Sequence, residues 1–292
     1  MLPENSGTDA KSTDAKSQVV LGVYDPHARF YGSPYVDIEH IFIYWQTLDD
    51  GDLRRALYDA QNQNRAIIVT VEPFTKAPNW RDGGDRLFLD ITAGSFDVEI
   101  DTLCGVMADF SGALYVRWGH EMEDPTGRYP WARQDSEGYK QAYRYFVDAC
   151  RRKVPRAAFI WSPKGERNLA LYYPGDAYVD YVGLAVWGLE ALDQDQHGGW
   201  RDFGETFQEK YDRVVRFGKP VYIAELGVAG TRQYREAWFR SLYSIIEVPN
   251  DFHLLRGIVY FNDREPDRWP QGFGSPDWRI DGNWFADARL RN

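Results

Sequence analysis

The chain has 292 residues and a formal net charge of −10 at neutral pH, and its length suits one large domain or two small ones. The acidic balance argues against partners that are themselves anionic, so we expect neither nucleic acid nor an anionic membrane surface. A neutral or cationic substrate is favoured only weakly. No run of about 18 apolar residues is present, so the sequence predicts no membrane span.

The first residues are rich in Ser, Thr, Asp, Lys and Gly and contain no apolar core of the kind found in signal peptides. We interpret residues 1–18 as a disordered linker or a remnant of cloning. Residues 19–292 show neither an internal repeat nor a domain boundary, and we expect them to form one catalytic domain.

Eight apolar runs are typical of strands buried on both faces of a parallel sheet. They are Val19–Asp25, His40–Gln46, Arg65–Glu72, Ala113–Glu121, Ala158–Ser162, Tyr181–Trp187, Pro220–Leu226 and Gly257–Asn262. Amphipathic helical stripes separate several of them, for example Ile100, Leu103, Cys104 and Met107, with Ser95 as a possible N-cap.

The alternation of strand and helix predicts an α/β fold, a single-domain (β/α)8 TIM barrel. A doubly wound open sheet is the alternative. That fold would require a Gly-rich phosphate turn after an early strand, and Gly22-Val-Tyr-Asp25 supplies none. The strand-to-helix connections are long and the helix-to-strand connections are short, as expected if the working loops lie at the carboxyl ends of the strands.

Two of the predicted strands end in a carboxylate. Glu121 follows the strand that contains Arg117, Trp118 and His120, and Glu225 ends the run that starts at Pro220. Two carboxylates that face one cleft can divide into a proton donor and a nucleophile, because their surroundings move their pKa values apart. A separation of about 5–5.5 Å would make glycoside hydrolysis retaining, and about 6.5–9.5 Å would make it inverting. Capping or salt bridging at the barrel rim is the alternative role for each Glu.

Aromatic residues make up 16% of the chain, with 11 Trp, and the flat indole ring covers the apolar face of a sugar well. Several aromatic and polar residues lie at or just beyond predicted strand ends, and we expect several of them to line sugar subsites. They are Trp45, Glu72, Trp161, Trp187, Tyr260, Asn262 and Trp269. Packing at the barrel rim is the alternative for each Trp.

The segment Arg117-Trp-Gly-His-Glu-Met122, followed by Tyr129-Pro-Trp131, resembles glycoside hydrolase family 26, the β-mannanase family of a retaining clan of barrels. Phe159-Ile-Trp-Ser-Pro163, Tyr173-Pro-Gly-Asp176 and Val179-Asp-Tyr-Val-Gly183 are also similar to parts of that family. The resemblance extends from about Val19 to the C-terminus.

The resemblance implies roles for individual residues. Glu121 matches the acid/base of the family and Glu225 its nucleophile. His120 matches the histidine beside the nucleophile, and Trp131 matches an aromatic residue near the sugar at the cleavage point. We interpret Arg117 as the cation that keeps Glu225 ionised, with a structural ion pair as the alternative.

The sequence departs from the family pattern at three places. Glu123 and Asp124 stand where Asn commonly follows His-Glu-Met, Lys164 replaces the Asn after Trp-Ser-Pro, and Trp187 replaces a Tyr. The departures leave the two glutamates in place and bear on which type of glycan is the substrate.

The resemblance implies a retaining endo-β-glycanase, first of the β-1,4-mannan type. A β-1,3-1,4-glucanase, a β-1,3-xylanase or a bacterial exopolysaccharide hydrolase on the same scaffold is the alternative. A non-catalytic glycan-binding barrel and a metal-dependent hydrolase are different classes, and the second would require a His-x-His that Val19–Asp25 lacks.

We therefore expect a polysaccharide or oligosaccharide substrate, no cofactor and no metal, a monomer, and an extracellular or periplasmic location. Cys104 and Cys150 can pair, remain free, or pack as small apolar residues, and the last is the default expectation.

Overall fold

The structure, a computed structural model, describes residues 19–247, 251–266, 269, 272–280 and 283–291. The predicted linker, residues 1–18, lies outside the described residues. None of the helices in this part of the chain is long and apolar enough to cross a membrane.

Eight parallel strands form a closed barrel in which each strand pairs with the next and β8 pairs with β1. Each strand overlaps one of the eight apolar runs, so the predicted (β/α)8 TIM barrel is confirmed. The strands are β1 Val20–Tyr24, β2 Ile38–Tyr44, β3 Ala66–Glu72, β4 Leu114–Trp118, β5 Ala158–Trp161, β6 Tyr181–Leu189, β7 Val221–Ala229 and β8 Leu255–Phe261.

The helices cover the outside of the barrel and bury their apolar stripes against it. They are α1 Asp50–Asn62, α2 Gly84–Thr92, α3 Asp97–Met107, α4 Ser136–Lys153, α5 Glu190–His197, α6 Phe203–Val214, α7 Arg232–Glu247 and α8 Trp284–Arg291. Asp135 caps α4 by accepting from the backbone N–H groups of Glu137 and Gly138. The segment between β5 and β6 contains only a short 3-10 turn, Leu169–Tyr172.

Two details of the predicted elements differ from the structure. Helices α2 and α5 lie inside the long strand-to-helix connections after β3 and β6, where the sequence shows no clear helical stripe because each helix is short and flanked by polar residues. The predicted N-cap Ser95 is also wrong, since α3 follows Phe96 and has no side-chain cap.

The barrel interior changes from apolar to polar along the strands. Its amino-terminal part is packed with Ile38, Ile68, Ile160, Tyr222 and Val259. Because side chains on a strand alternate with a period of two, the next inward positions of β2, β3 and β4 are polar: His40, Thr70 and Arg117. The Thr70 hydroxyl lies 2.7 Å from His40 Nε2 and accepts from Arg117 Nη1 at 3.4 Å. Apolar side chains thus fill the amino-terminal end of the barrel, and polar side chains lie toward its carboxyl-terminal end.

The two cysteines form a disulfide bond between α3 and α4, with 5.3 Å between the Cα atoms of Cys104 and Cys150. Both residues are fully buried. The default expectation of two unpaired buried cysteines is therefore wrong, because packing α3 against α4 brings together residues 46 positions apart.

Candidate active site

A cavity of about 420 Å³ opens at the carboxyl end of the barrel, the end at which barrels of this type bind their ligands. Glu121 and Glu225 both line it, although 104 positions separate them in the chain. Each carboxylate is almost buried, with 6% and 7% of the residue exposed. The two predicted carboxylates therefore face the same enclosed space.

Glu225 points into the cavity because β7 is irregular just before it. Leu184 of β6 pairs with Ile223, and Ala185 pairs with Glu225, so Ala224 is an extra residue in β7. Tyr222 lies in the interior cluster, and strict alternation from Tyr222 would turn Ala224 inward and Glu225 outward. The bulge reverses this and turns the carboxylate inward.

Arg117 compensates the charge of Glu225. Its Nη2 lies 2.6 Å from Glu225 Oε1, as an ion pair in which the Arg117 side chain has no exposed surface. Burial raises the pKa of Glu225, the Arg117 guanidinium opposes that rise, and the negative charge of Glu121 adds to it. The nucleophile candidate is thus a buried carboxylate whose ionisation depends on one buried cation.

Glu121 lies on a sharp turn after β4. Its φ is +52°, in the left-handed region that L-residues avoid, and Gly119 two residues earlier has a φ of +54°. The backbone N–H of Glu121 donates to Ser162 O at 2.8 Å, and its carbonyl accepts from Asp124 N at 3.0 Å. A strained residue held in this way occurs often at functional sites, because the turn fixes the direction of the side chain.

His120, the residue before Glu121, contacts two aromatic residues, Tyr129 and Trp131. His120 Nε2 lies 3.2 Å from the Tyr129 hydroxyl, and burial lowers the pKa of the imidazole well below its usual value, so His120 is neutral. Trp131 is fully buried, donates its indole N–H to His120 O at 2.6 Å, and stacks on Tyr129 with 4.6 Å between ring centroids. Tyr129 lines the cavity, whereas Trp131 lies behind it, contrary to the expected sugar contact.

Three further predicted residues line the cavity, namely Glu72, Trp187 and Trp269. Trp187 packs against Phe261 at 5.6 Å and meets Trp269 edge-on at 6.1 Å. Trp269 donates its indole N–H to Glu265 Oε2 at 3.1 Å. These side chains form one aromatic wall close to Glu225.

Four other predicted subsite residues are buried away from the cavity and serve the fold. The Trp45 indole donates to Phe74 O at 2.8 Å, and the Tyr260 hydroxyl donates to Trp278 O at 2.7 Å. Strand ends carry large side chains on both faces of the barrel wall. The sequence alone does not show which of them face the cavity and which face the surrounding helices. The four residues are Trp45, Trp161, Tyr260 and Asn262.

The three departures from the family pattern include residues that contact one another. Glu123 Oε1 accepts from the backbone N–H groups of Gly165 at 2.8 Å and Glu166 at 3.1 Å. Lys164 Nζ lies 3.2 Å from Asp124 Oδ1. Charged residues therefore tie the loop after β4 to the loop after β5, beside Glu121.

The sequence did not single out several cavity residues. Tyr44 ends β2 and Phe261 ends β8, so their positions at strand ends were an available signal, whereas the loop residues follow no pattern. The missed residues include Phe42, Tyr44, Phe74, Arg81, Arg128, Tyr129, Arg201, Lys210, Arg213, Phe261 and Glu265.

The donor set indicates acid–base and nucleophilic chemistry. Within the residues that the structure describes, no group of three or more His, Cys, Asp or Glu side chains is arranged to hold a metal ion. Two carboxylates, a neutral imidazole and an aromatic wall are the components of a site that binds and cleaves sugars.

The family model described as Glycosyl hydrolase family 26 matches residues 113–236, the segment that contains both Glu121 and Glu225. This part of the chain is therefore similar to glycosyl hydrolase family 26. The identity to individual relatives is low.

A β-1,3-xylanase from Vibrio sp. is 21% identical over 242 residues, which is 76% of this chain and 49% of the relative. A mannan endo-1,4-β-mannosidase from Bifidobacterium adolescentis is 24% identical over 158 residues, 50% of this chain and 16% of the relative. This chain thus spans half or less of the length of these relatives. The catalytic domain of an endo-β-1,4-mannanase from Bacillus sp. JAMB-750 has the same fold, with a TM-score of 0.64 at 17% identity, covering 84% of this chain and 77% of the other.

Proposed function

We propose that this chain is a divergent member of glycosyl hydrolase family 26 and acts as a retaining endo-β-glycanase. The observation that carries the proposal is the pair of nearly buried carboxylates, Glu121 and Glu225, in the wall of one cavity. The match of the family model to the segment that contains both residues supports the same reading.

In the first step, a carboxylate oxygen of Glu225 attacks the anomeric carbon and the glycosidic C–O bond breaks. Glu121 gives its proton to the departing sugar oxygen. Arg117 keeps Glu225 ionised before the attack, and the product is a sugar covalently bound to Glu225 together with a deprotonated Glu121.

In the second step, water attacks the same carbon. Its proton passes to Glu121, the bond to Glu225 breaks, and both carboxyl groups return to their starting states. Two inversions at one carbon give net retention of the anomeric configuration. The Tyr129 ring positions the sugar, and the neutral His120 holds Tyr129 in place through its hydroxyl group. Trp187, Trp269 and Glu72 contact the sugar along the cavity.

A β-1,4-mannan is the first substrate to test, and a β-1,3-xylan is the second because of the similarity to the β-1,3-xylanase from Vibrio sp.. The disulfide between Cys104 and Cys150 supports an extracellular or periplasmic site of action, since such bonds persist in oxidising compartments. We further propose that residues 19–292 act as a monomeric catalytic domain that requires no cofactor.

The test is a panel of mannan, glucomannan, mixed-linkage glucan, β-1,3-xylan, cellulose and an acidic bacterial exopolysaccharide, with sizing of the products. The Glu225→Ala variant should lose turnover on the hydrolysed polysaccharide, and Glu137→Gln, an exposed carboxylate on α4, is the matched control. NMR at early times should show the retained anomer, so an inverted product would refute the mechanism. Binding without cleavage, unchanged in Glu225→Ala, would favour a glycan-binding barrel instead.

A further inference from the structure

Glu72, the last residue of β3, is a carboxyl group in the cavity wall whose side chain pairs with none of the described residues. The residue is 6% exposed, and neither carboxyl oxygen makes a hydrogen bond or an ion pair with any residue in the described part of the chain. Buried polar groups in proteins are nearly always hydrogen-bonded. A buried carboxyl that faces an open cavity therefore indicates a partner that enters through that cavity.

The position of Glu72 follows from strand geometry. Thr70 points into the barrel, where it contacts His40 and Arg117, so Glu72 two residues later points the same way, about 6–7 Å nearer the cavity. Glu225 enters the same cavity from β7, and its charge acts on Glu72. Two carboxyl groups thus share the space above one buried guanidinium.

The charges around Glu72 leave it without a dedicated counter-ion. Arg117 is engaged with Glu225 at 2.6 Å, and Arg128 is paired with Glu265. Arg81 donates to the backbone carbonyl of Arg128 at 3.0 Å. The titratable and charged groups that face Glu72 are Tyr24, Tyr44, Arg81, Arg117, Arg128, Tyr129 and Glu225.

The balance of these groups favours the uncharged form. Burial is the largest effect, and the negative charge of Glu225 adds to it, while the three arginines oppose both. Together they raise the pKa of Glu72 to about 8.

We propose that Glu72 works as a neutral carboxylic acid that donates a hydrogen bond from its O–H to a hydroxyl group of the sugar held beside Glu225. The inference rests on the proposed glycanase function for the identity of the ligand. An ionised Glu72 has no proton to donate, and a second negative charge would face Glu225. Protonation of Glu72 thus controls sugar binding in the cavity.

The first experiment needs no ligand. Infrared difference spectra of the wild type against Glu72→Gln, recorded from pH 6 to pH 10, should show the carbonyl stretch of one protonated carboxylic acid, which disappears as the pH passes about 8. Glu123→Gln is the matched control, because Glu123 is another buried carboxyl whose pKa burial raises to about 7. A carboxylate band at pH 6 in place of the acid band would overturn the proposal.

The second experiment measures binding of β-1,4-mannotetraose and β-1,3-xylotetraose by calorimetry, in a Glu121→Gln background that prevents turnover. Affinity should be constant below pH 8 and fall about tenfold per pH unit above it. The double variant Glu121→Gln, Glu72→Gln should bind the sugar several-fold more weakly at pH 7 than Glu121→Gln alone, and its affinity should not depend on pH. The double variant Glu121→Gln, Glu72→Ala should bind weakly at every pH.

The two experiments separate the inference from the proposed function. If no polysaccharide is hydrolysed and neither tetrasaccharide binds, the function is wrong, while the infrared spectra still test the protonation of Glu72. If hydrolysis occurs but Glu72→Gln leaves the pH dependence of binding in place, the role assigned to Glu72 is wrong.

Discussion

Replacing Arg117 by Met should destabilise the protein by an amount that depends strongly on pH. The substitution removes the cation 2.6 Å from Glu225 Oε1 and leaves a buried carboxylate without compensation. Glu225 will then take up a proton in the folded state. Measured from an ordinary pKa of 4.5, this costs at most about 3 kcal/mol at pH 7 and less than about 1 kcal/mol at pH 5, because the pKa of Glu225 is already raised in the wild type.

Loss of the contact with Thr70 adds about 1 kcal/mol at either pH. The free energy of unfolding should therefore fall by up to about 4 kcal/mol at pH 7 and by about 1–2 kcal/mol at pH 5. Urea unfolding followed by Trp fluorescence measures both values. Arg117→Lys keeps the charge and is the control, with a loss that changes little between the two pH values.

The same substitution should move the acidic limb of the activity profile to higher pH, because the pKa of Glu225 rises further when Arg117 is removed. The sign is fixed by the chemistry, since the nucleophile acts only when it is ionised. If Arg117→Met lost equal stability at pH 5 and pH 7, the ion pair would not be what holds the charge of Glu225, and the reasoning would fail.

The remaining predictions concern three other parts of the molecule. Because the folded-state pKa of Glu72, about 8, lies above its ordinary 4.5, its contribution to stability falls as the pH rises between these values. Glu72→Gln should therefore raise the free energy of unfolding at pH 8 by about 2–5 kcal/mol, with the gain disappearing near pH 4.5; urea titrations at both pH values check this, and an equal gain at both would contradict it. Replacing Cys104 and Cys150 by Ala should cost about 2–4 kcal/mol in oxidising buffer, and reductant should then affect only the wild type. Tyr129→Ala should raise KM about tenfold with a small loss of stability, whereas Trp131→Ala should lower the free energy of unfolding by about 3–5 kcal/mol. Kinetics and thermal unfolding measure the two effects. The reverse pattern would place Trp131, not Tyr129, against the sugar.

The positions of the eight strands were predictable because a strand that is buried on both faces of a parallel sheet is an almost continuous run of apolar residues. The convergence of Glu121 and Glu225 on one cavity was also predictable. Residues that end parallel strands meet at one rim of a closed barrel, whatever their distance along the chain.

Which individual side chains at the strand ends line the cavity was less predictable. Trp45, Trp161 and Tyr260 stand at strand ends, as Trp187 does, yet only Trp187 of these four lines the cavity. An aromatic residue suits a barrel wall and a sugar subsite equally well, so composition does not distinguish them.

The sequence by itself determined the barrel, its working end and the two carboxylates. Only the tertiary structure decided that Glu225 points inward, because the bulge at Ala224 depends on how β7 pairs with β6 and β8. Pairings of this kind, like the ion pair of Glu225 with Arg117 and the bond between Cys104 and Cys150, join residues distant in the chain. Local patterns record which residues are buried, and the contacts between distant residues exist only once the strands and helices have packed.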